Sequence, residues 1–507
     1  MSDKDKNKTI AKNAVFLYIR MLFSLCVTLY TSRIVLRTLG VEDFGIYNVV
    51  GGVVSLFSFL NTSMSGATAR FISYELGQNN FEKLRRTFST AILVHTFIAI
   101  VILILGETVG LWFLNSQLEI SADRVVAANV VYQFSILSTM TTIMQVPYNA
   151  SIIAHEKMDV YAYIEIGHIV LKLLIVWMLL VIDFDKLIVY SFLFFLVTFI
   201  VFLIYNIYSR IKLKDCCRFN FVFDRTIWKP MLSFSGWDLY GNASTLARTQ
   251  GVNMLLNIFF GAALNAASGI ATQVQGAVMS FAGNVVSAFR PQIVKSYAQK
   301  DYNRMITLVK NASIYTTMLL LLFSIPLIVE TNFILTIWLG EWPFYAAIFC
   351  RYVLIFNLFS NLSSIVITGL HATGNIKRPS LINGTFYLSV IPITYIGYKC
   401  SLPAEFAYFY NIIAVACGML SNIWSLHLYI PTFSFRIFLY NILIKCLIIG
   451  GIVFSIAYSL TFVLQEGWVR LCLVVITTAI LLISIVYCFV FTSEERQIVL
   501  SKLHLQK

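Results

Sequence analysis

The chain has 507 residues, of which 59% are hydrophobic and only 12% charged, with 37 Lys and Arg against 24 Asp and Glu. Soluble domains carry about 25% charged residues, so the composition excludes a water-soluble enzyme, a disordered chain and a secreted disulfide scaffold. A polytopic membrane protein remains, and the net charge of +13 is read first against a membrane surface, not a nucleic acid.

A helix crosses a bilayer in about 20 apolar residues, and the lipid interior admits only helices or closed barrels. The apolar runs here, such as Phe192–Tyr205 and Met318–Val329, are continuous rather than alternating, which selects helices and an all-α fold. Breaks at charge and turn clusters place fourteen transmembrane helices. They lie near 13–36, 45–69, 88–114, 125–150, 160–182, 187–209, 230–258, 265–289, 306–334, 346–370, 380–399, 404–428, 437–464 and 469–491. The segments 45–69, 230–258 and 265–289 give the weakest signal because they are rich in Gly, Ser, Thr and Asn. The first span is long, follows a charged stretch and shows no small-residue cleavage site, so it reads as a retained helix. The nine cysteines are scattered and show neither a disulfide framework nor metal-ligand spacing.

Lys and Arg set the orientation of such a chain. With both termini in the cytoplasm, the inner segments collect 23 of the 37 basic residues, six of them between Arg210 and Lys229. An internal repeat accompanies this alternation. LGVEDFGIYNVVGGVV from Leu39 runs beside FGAALNAASGIATQVQ from Phe260, and GQNNFEKL from Gly77 lies over AQKDYNRM from Ala298. Further on, SIIAHEKMDVY from Ser151 aligns with GLHATGNIKRPSL, matching Lys157 to Lys377. Two matches in register at an offset near 220 residues point to two parallel six-helix bundles. The expected organisation is therefore a bundle over 1–215, a second over 216–430, and two further helices with a tail over 431–507.

Ionisable groups inside spans cost about 2.5–3.5 kcal/mol each on insertion scales, so each needs a partner or a function. In span 1, Arg20 shares a polar stripe with Ser24, Thr28 and Thr31, and Arg33 and Arg37 share a face at its outer end. Arg70 ends span 2, and Arg290 ends span 8 at nearly the equivalent place. In span 5, Glu165, His168 and Lys172 fall on one helical face, either as an ion pair of Glu165 with Lys172 or a neighbouring helix, or as a phosphate-binding or proton-relaying wall. Span 7 carries Asp238, Asn242, Thr245, Arg248 and Thr249, and span 8 carries Asn265, Ser268, Thr272 and Gln275. These polar stripes are expected to face a lumen. Asp238 and Arg248 stand about 15 Å apart along an ideal helix and cannot pair. Guanidinium groups grip phosphate oxygens in a bidentate fork without deprotonating, so Arg20, Arg33, Arg70, Arg248 and Arg290, with Lys172 and Asp238, are the expected substrate path. Glu165 and His168 are the candidates for coupling to an ion.

The segment SRIVLRTLGVEDFGIYNVVGGVVSLFSFL, its second-half counterpart around Gly261 and the TGNIKRPS turn resemble the polysaccharide transporter family of the multidrug/oligosaccharidyl-lipid/polysaccharide flippase superfamily. The resemblance implies a 12-plus-2 helix flippase of the bacterial inner membrane. It implies transport of undecaprenyl-diphosphate-linked oligosaccharide, an O-antigen or capsule repeat unit, by alternating access. It further implies membrane lipids, a polysaccharide polymerase and a chain-length protein as partners, and no cofactor beyond a coupling ion, H+ or Na+. A cation-coupled multidrug exporter on the same fold is the alternative, and a membrane glycosyltransferase or polymerase a weaker one. No GxxxxGK[ST], HExxH, GxSxG or CxxC occurs, and Glu42-Asp43 reads as a solvated turn, so a transporter and not an enzyme is expected.

Overall fold

The computed structural model describes residues 7, 9–24, 26–27, 31, 34–35, 38–39, 43, 58–116, 121, 123–182, 184–218, 220, 224–490 and 496. Residues 9–24 are helical (α1). Next come α2 (Ser58–Gly77), α3 (Phe81–Leu105), α4 (Leu111–Ser116), α5 (Val125–Ala154), α6 (Met158–Val181) and α7 (Lys186–Lys212). The long α8 (Arg225–Phe260) and α9 (Ala262–Ala298) lead to α10 (Tyr302–Val329), α11 (Thr331–Leu339), α12 (Tyr345–Thr373) and α13 (Lys377–Lys399). The remainder is α14 (Phe406–Tyr429), α15 (Phe435–Phe438), α16 (Lys445–Val463) and α17 (Trp468–Ile485). Three π segments, Gly106–Gly110, Leu439–Ile444 and Val486–Val490, extend α3, α15 and α17. Each expected span falls wholly or partly on one of these helices, and among the described residues the regular structure is all helical.

Nine helices among the described residues are long and apolar enough to cross a membrane. The α8 and α9 helices are not among the nine, for the compositional reason already given. Both exceed their expected bounds: α8 begins at Arg225, ahead of Pro230, and α9 runs through Arg290-Pro291 to Ala298. Proline breaks a helix chiefly by removing one donor. Past Pro291, Gln292 and Lys295 both donate to the Glu156 carboxylate, at 2.5 Å each, tying the end of α9 to the turn after α5.

By contacts, the chain groups into two units: Met1–Asn242 with Arg290–Asp301, and Ala243–Phe289 with Tyr302–Lys507. Each has the same internal plan. In the first, α5 packs most extensively on α7, with α3 beside α5. In the second, α12 packs most extensively on α14, with α10 beside α12. The helices α5 and α12 start at residues 125 and 345, and α7 and α14 at 186 and 406, so both offsets are 220. Even backbone strain repeats, since Asn79 and Lys300 have φ of 54° and 61° in equivalent turns.

Packing differs in chemistry between the two units. The core of the first is apolar and aromatic, with Ile72, Phe88, Tyr148, Ile152, Leu179 and Tyr205 buried together. At its far end the π segment brings Gly110 against Tyr132, where a Cβ would lie 1.9 Å from the phenol oxygen. No side chain fits there, and Tyr132 donates instead to the Gly106 carbonyl at 2.7 Å. The second unit adds a buried amide ladder. Asn383 donates to Asn422 (2.9 Å), Asn422 to Ser363 (2.9 Å), and Asn361 to Thr316 (2.8 Å). Lipid tails supply no hydrophobic drive between helices, and such bonds contribute about 0.6 kcal/mol each in membrane proteins. Close approach over small residues supplies the rest, as at Gly418, where a Cβ would stand 3.0 Å from Asn383 Oδ1.

Candidate functional site

Within the second unit, α8 and α9 present polar side chains to a half-open cavity. Its lining includes Arg248, Thr249, Asn253, Ser268, Thr272 and Gln275 from these two helices, with Tyr352, Phe356, Tyr408 and Asn411 opposite. The polar stepping of span 8 thus reads directly as a wall of the cavity. Its side chains are held in place: Tyr408 donates to Ser268 Oγ (2.8 Å), and Ser268 to Asn253 Oδ1 (2.7 Å).

Among the described residues of this lining, Arg248 is the only formally charged side chain. It is 8% exposed, with its guanidinium carbon 4.8 Å from the ring centroids of both Phe356 and Tyr387. Its Nη1 donates to Asn411 Oδ1 at 3.3 Å, while Nε has no hydrogen-bond partner. Among the described residues no carboxylate pairs with it. Aromatic faces attract a cation through their quadrupole but do not neutralise it, so the site retains a positive charge beside hydroxyls and amides.

The first unit gathers the other expected site residues into two clusters. In one, Asp238 and Arg290 are coupled electrostatically. Asn242 donates to Asp238 Oδ2 at 3.1 Å, and a Cβ on Gly66 would stand 3.8 Å from that same oxygen. Arg70 lies over Phe71 (4.6 Å), Tyr74 (4.9 Å) and Phe234 (6.0 Å), and Tyr74 meets Tyr297 of α9 at 6.5 Å.

The second cluster links α1, α6 and α7. Arg20 donates to the Tyr161 hydroxyl at 2.6 Å, and Tyr205 donates to Glu165 Oε1 at 2.8 Å. His168 Nδ1 stands 3.9 Å from Glu165 Oε2, so the carboxylate is served by its own helix and by α7. The Glu165–Lys172 ion pair does not form; the Lys172 ammonium lies 4.8 Å from the Phe194 centroid instead. At i, i+7 the two side chains are about 10.5 Å apart along the axis, and the aromatic face of α7 is nearer. Arg33 lies outside the described residues.

Three polar clusters were absent from the sequence expectations. Arg124, ahead of α5, binds both Asp43 and Asp185, and the Asp43 carboxylate holds its guanidinium above the ordinary arginine value. Glu156 joins the end of α9 through Gln292 and Lys295. Arg470 of α17 grips Glu330 in a fork, Nε to Oε1 at 2.7 Å and Nη2 to Oε2 at 2.8 Å, with the Glu330 side chain fully buried. A carboxylate alone in an apolar run was the available signal, but its partner lies far along the chain.

Residues 17–178 match the MatE family model. Similar solved structures include a mutant MATE protein at 13% identity and TM-score 0.71, covering 83% of this chain and 97% of that one. The MATE transporter ClbM in complex with Rb+ matches at 16% identity and TM-score 0.69, covering 83% and 94%. A MOP superfamily transporter from Pyrococcus furiosus, described as having reverse polarity of its binding pocket, matches at 13% identity and TM-score 0.63, covering 84% and 96%. These likenesses establish the fold. No curated protein matches the sequence significantly.

Proposed function

We propose that the chain is a MOP-type transporter of an anionic, lipid-linked saccharide, an undecaprenyl-diphosphate-linked O-antigen or capsule unit, in the bacterial inner membrane. The observation that carries the reading is Arg248, a buried cation without a carboxylate partner among the described residues, set in a cavity of hydroxyls, amides and aromatic rings. A diphosphate offers the oxygens a guanidinium fork takes up, and sugar hydroxyls and ring faces suit the rest of the lining. The lipid tail needs no protein cavity and stays in the bilayer. A similar fold with a pocket of reverse polarity supports the idea that this scaffold accommodates substrates of differing charge.

In this reading the repeats 1–215 and 216–430 rock about the substrate path, residues 431–507 are appended, and both termini face the cytoplasm. Arg20, Arg33, Arg70, Lys172, Asp238 and Arg290 flank the path. A polymerase and a chain-length protein take up the product, and no nucleic acid is involved. The test is restoration of surface polysaccharide in a strain lacking the transporter: wild type restores it, and Arg248→Ala does not at equal membrane abundance. Equal restoration by Arg248→Ala overturns the assignment.

A second reading, a cation-coupled multidrug exporter, is favoured by one observation. Glu165 is held by Tyr205 and approached by His168, an acid within a helix where H+ or Na+ could load, and ClbM was solved with Rb+. This reading expects drug susceptibility to change on deletion and surface polysaccharide to stay intact.

A further inference from the structure

The segment joining α7 to α8 and its flanking helix ends concentrate six of the basic residues that set the orientation. It leaves α7, a candidate span, at Lys212 and enters α8 at Arg225, so its α7 end lies at the depth where a membrane's headgroups begin. Its described residues make contacts with the rest of the unit. Leu213, Cys216, Cys217 and Ile227 are buried, Cys216 and Cys217 donate backbone N–H to the Leu213 carbonyl at 3.0 and 2.8 Å, and Asn220 N–H donates to Ser89 Oγ at 3.1 Å.

The two acids of the segment are already engaged by α3. Arg85 donates to the Asp215 carbonyl (3.2 Å) and stands 3.9 Å from its carboxylate, and Arg86 lies 3.7 Å from Asp224. Asp224 also accepts from the Thr226 N–H and hydroxyl at 2.9 and 2.6 Å. Arg210, Lys212, Lys214, Arg218, Arg225 and Lys229 are all exposed, and among the described residues none has an ion pair. Six cations, with the local acids drawn off by a neighbouring helix, form a concentrated positive surface.

We propose that this surface is a binding site for the headgroups of anionic phospholipids in the leaflet it meets. A juxtamembrane basic cluster gains from the negative surface potential of such a leaflet, and the apolar stems of Lys and Arg reach from the helix end to the phosphate level. Phosphatidylglycerol fits because its single negative charge needs no specific pocket, only a phosphate oxygen within reach of two or three cations. The site rests on the membrane-spanning reading alone and is independent of what the cavity carries.

The test is native mass spectrometry of the full chain, released from a neutral detergent doped with phosphatidylglycerol or phosphatidylcholine. Wild type should retain phosphatidylglycerol over phosphatidylcholine. The combined variant Arg210→Gln, Lys212→Gln, Lys214→Gln and Arg218→Gln should lower that preference at least tenfold. Asp215→Asn, which releases Arg85, should raise it, and this opposite shift does not arise from misfolding. Lys377→Gln with Arg378→Gln, a basic pair elsewhere on the chain, serves as the control and should leave it unchanged. Wild-type preference in the fourfold variant overturns the proposal, as does an equal loss in the control.

Discussion

Two buried cations, Arg290 in the first unit and Arg248 in the second, are held in different ways. In the first, Arg290 has Asp238 as its electrostatic partner, and Glu165 sits among Tyr205, His168 and the field of Arg20. In the second, Arg248 has two aromatic faces and one amide. Desolvating a charge is costly unless another charge or several hydrogen bonds offset it. A cation with a carboxylate beside it has its charge offset, whereas one flanked by rings and an amide has electrostatic capacity left over. The repeat gives both units the same helical plan, so the difference lies in side chains and not in backbone.

Removing Arg248 tests the contrast most severely. Arg248→Ala should reduce transport by roughly 10- to 100-fold, the worth of charge-assisted bonds of 1.5–3 kcal/mol, with little loss of thermal stability in detergent. Arg248→Lys should recover part of the activity, because an ammonium keeps the charge but not the fork. A destabilised Arg248→Ala protein would place this residue with the structural cations. Glu330→Gln provides the reverse case inside the same unit: it should cost about 3 kcal/mol of stability, read as a lower unfolding midpoint. An unchanged midpoint would show that the fork with Arg470 contributes nothing net.

The first unit should respond more gently. Asp238→Asn should lower stability by about 2 kcal/mol by leaving Arg290 without its counter-charge, and adding Arg290→Gln should restore part of it. Strictly additive losses in the double variant would dissolve the pair. Glu165→Gln should be the mildest, below about 1 kcal/mol, because the amide oxygen still accepts from Tyr205. Its diagnostic is the pH dependence of transport: a flattened profile supports ion coupling through Glu165, and an unaltered one assigns it to packing.

Much of the architecture was legible because apolar runs report burial in lipid without reference to partners, as in α7. The repeat was legible where turns impose chemistry, since GQNN and AQKD end helices at positions 221 residues apart with the same left-handed backbone at Asn79 and Lys300. The start of α8 and the end of α9 were misjudged because charge and proline normally end a span, and here the helix continues on both sides of Pro230 and Pro291. Partnerships were the least readable part. Phe356, Tyr387 and Asn411 reach Arg248 from over a hundred residues away, and nothing in local spacing encodes such an encounter. Local rules did establish that Asp238 and Arg248 could not pair.

The fork between Glu330 and Arg470 has a consequence for synthesis. The partners are separated by 140 positions, and ribosomes add about 5–20 residues per second. For roughly 7–28 s, then, each nascent chain carries a carboxylate destined for a fully buried position with its counter-ion not yet made. During that interval the carboxylate must be protonated, wetted or sheltered by the insertion machinery. Arrival of the last helix ends the exposure, which gives a late stretch of the chain authority over whether an early one settles.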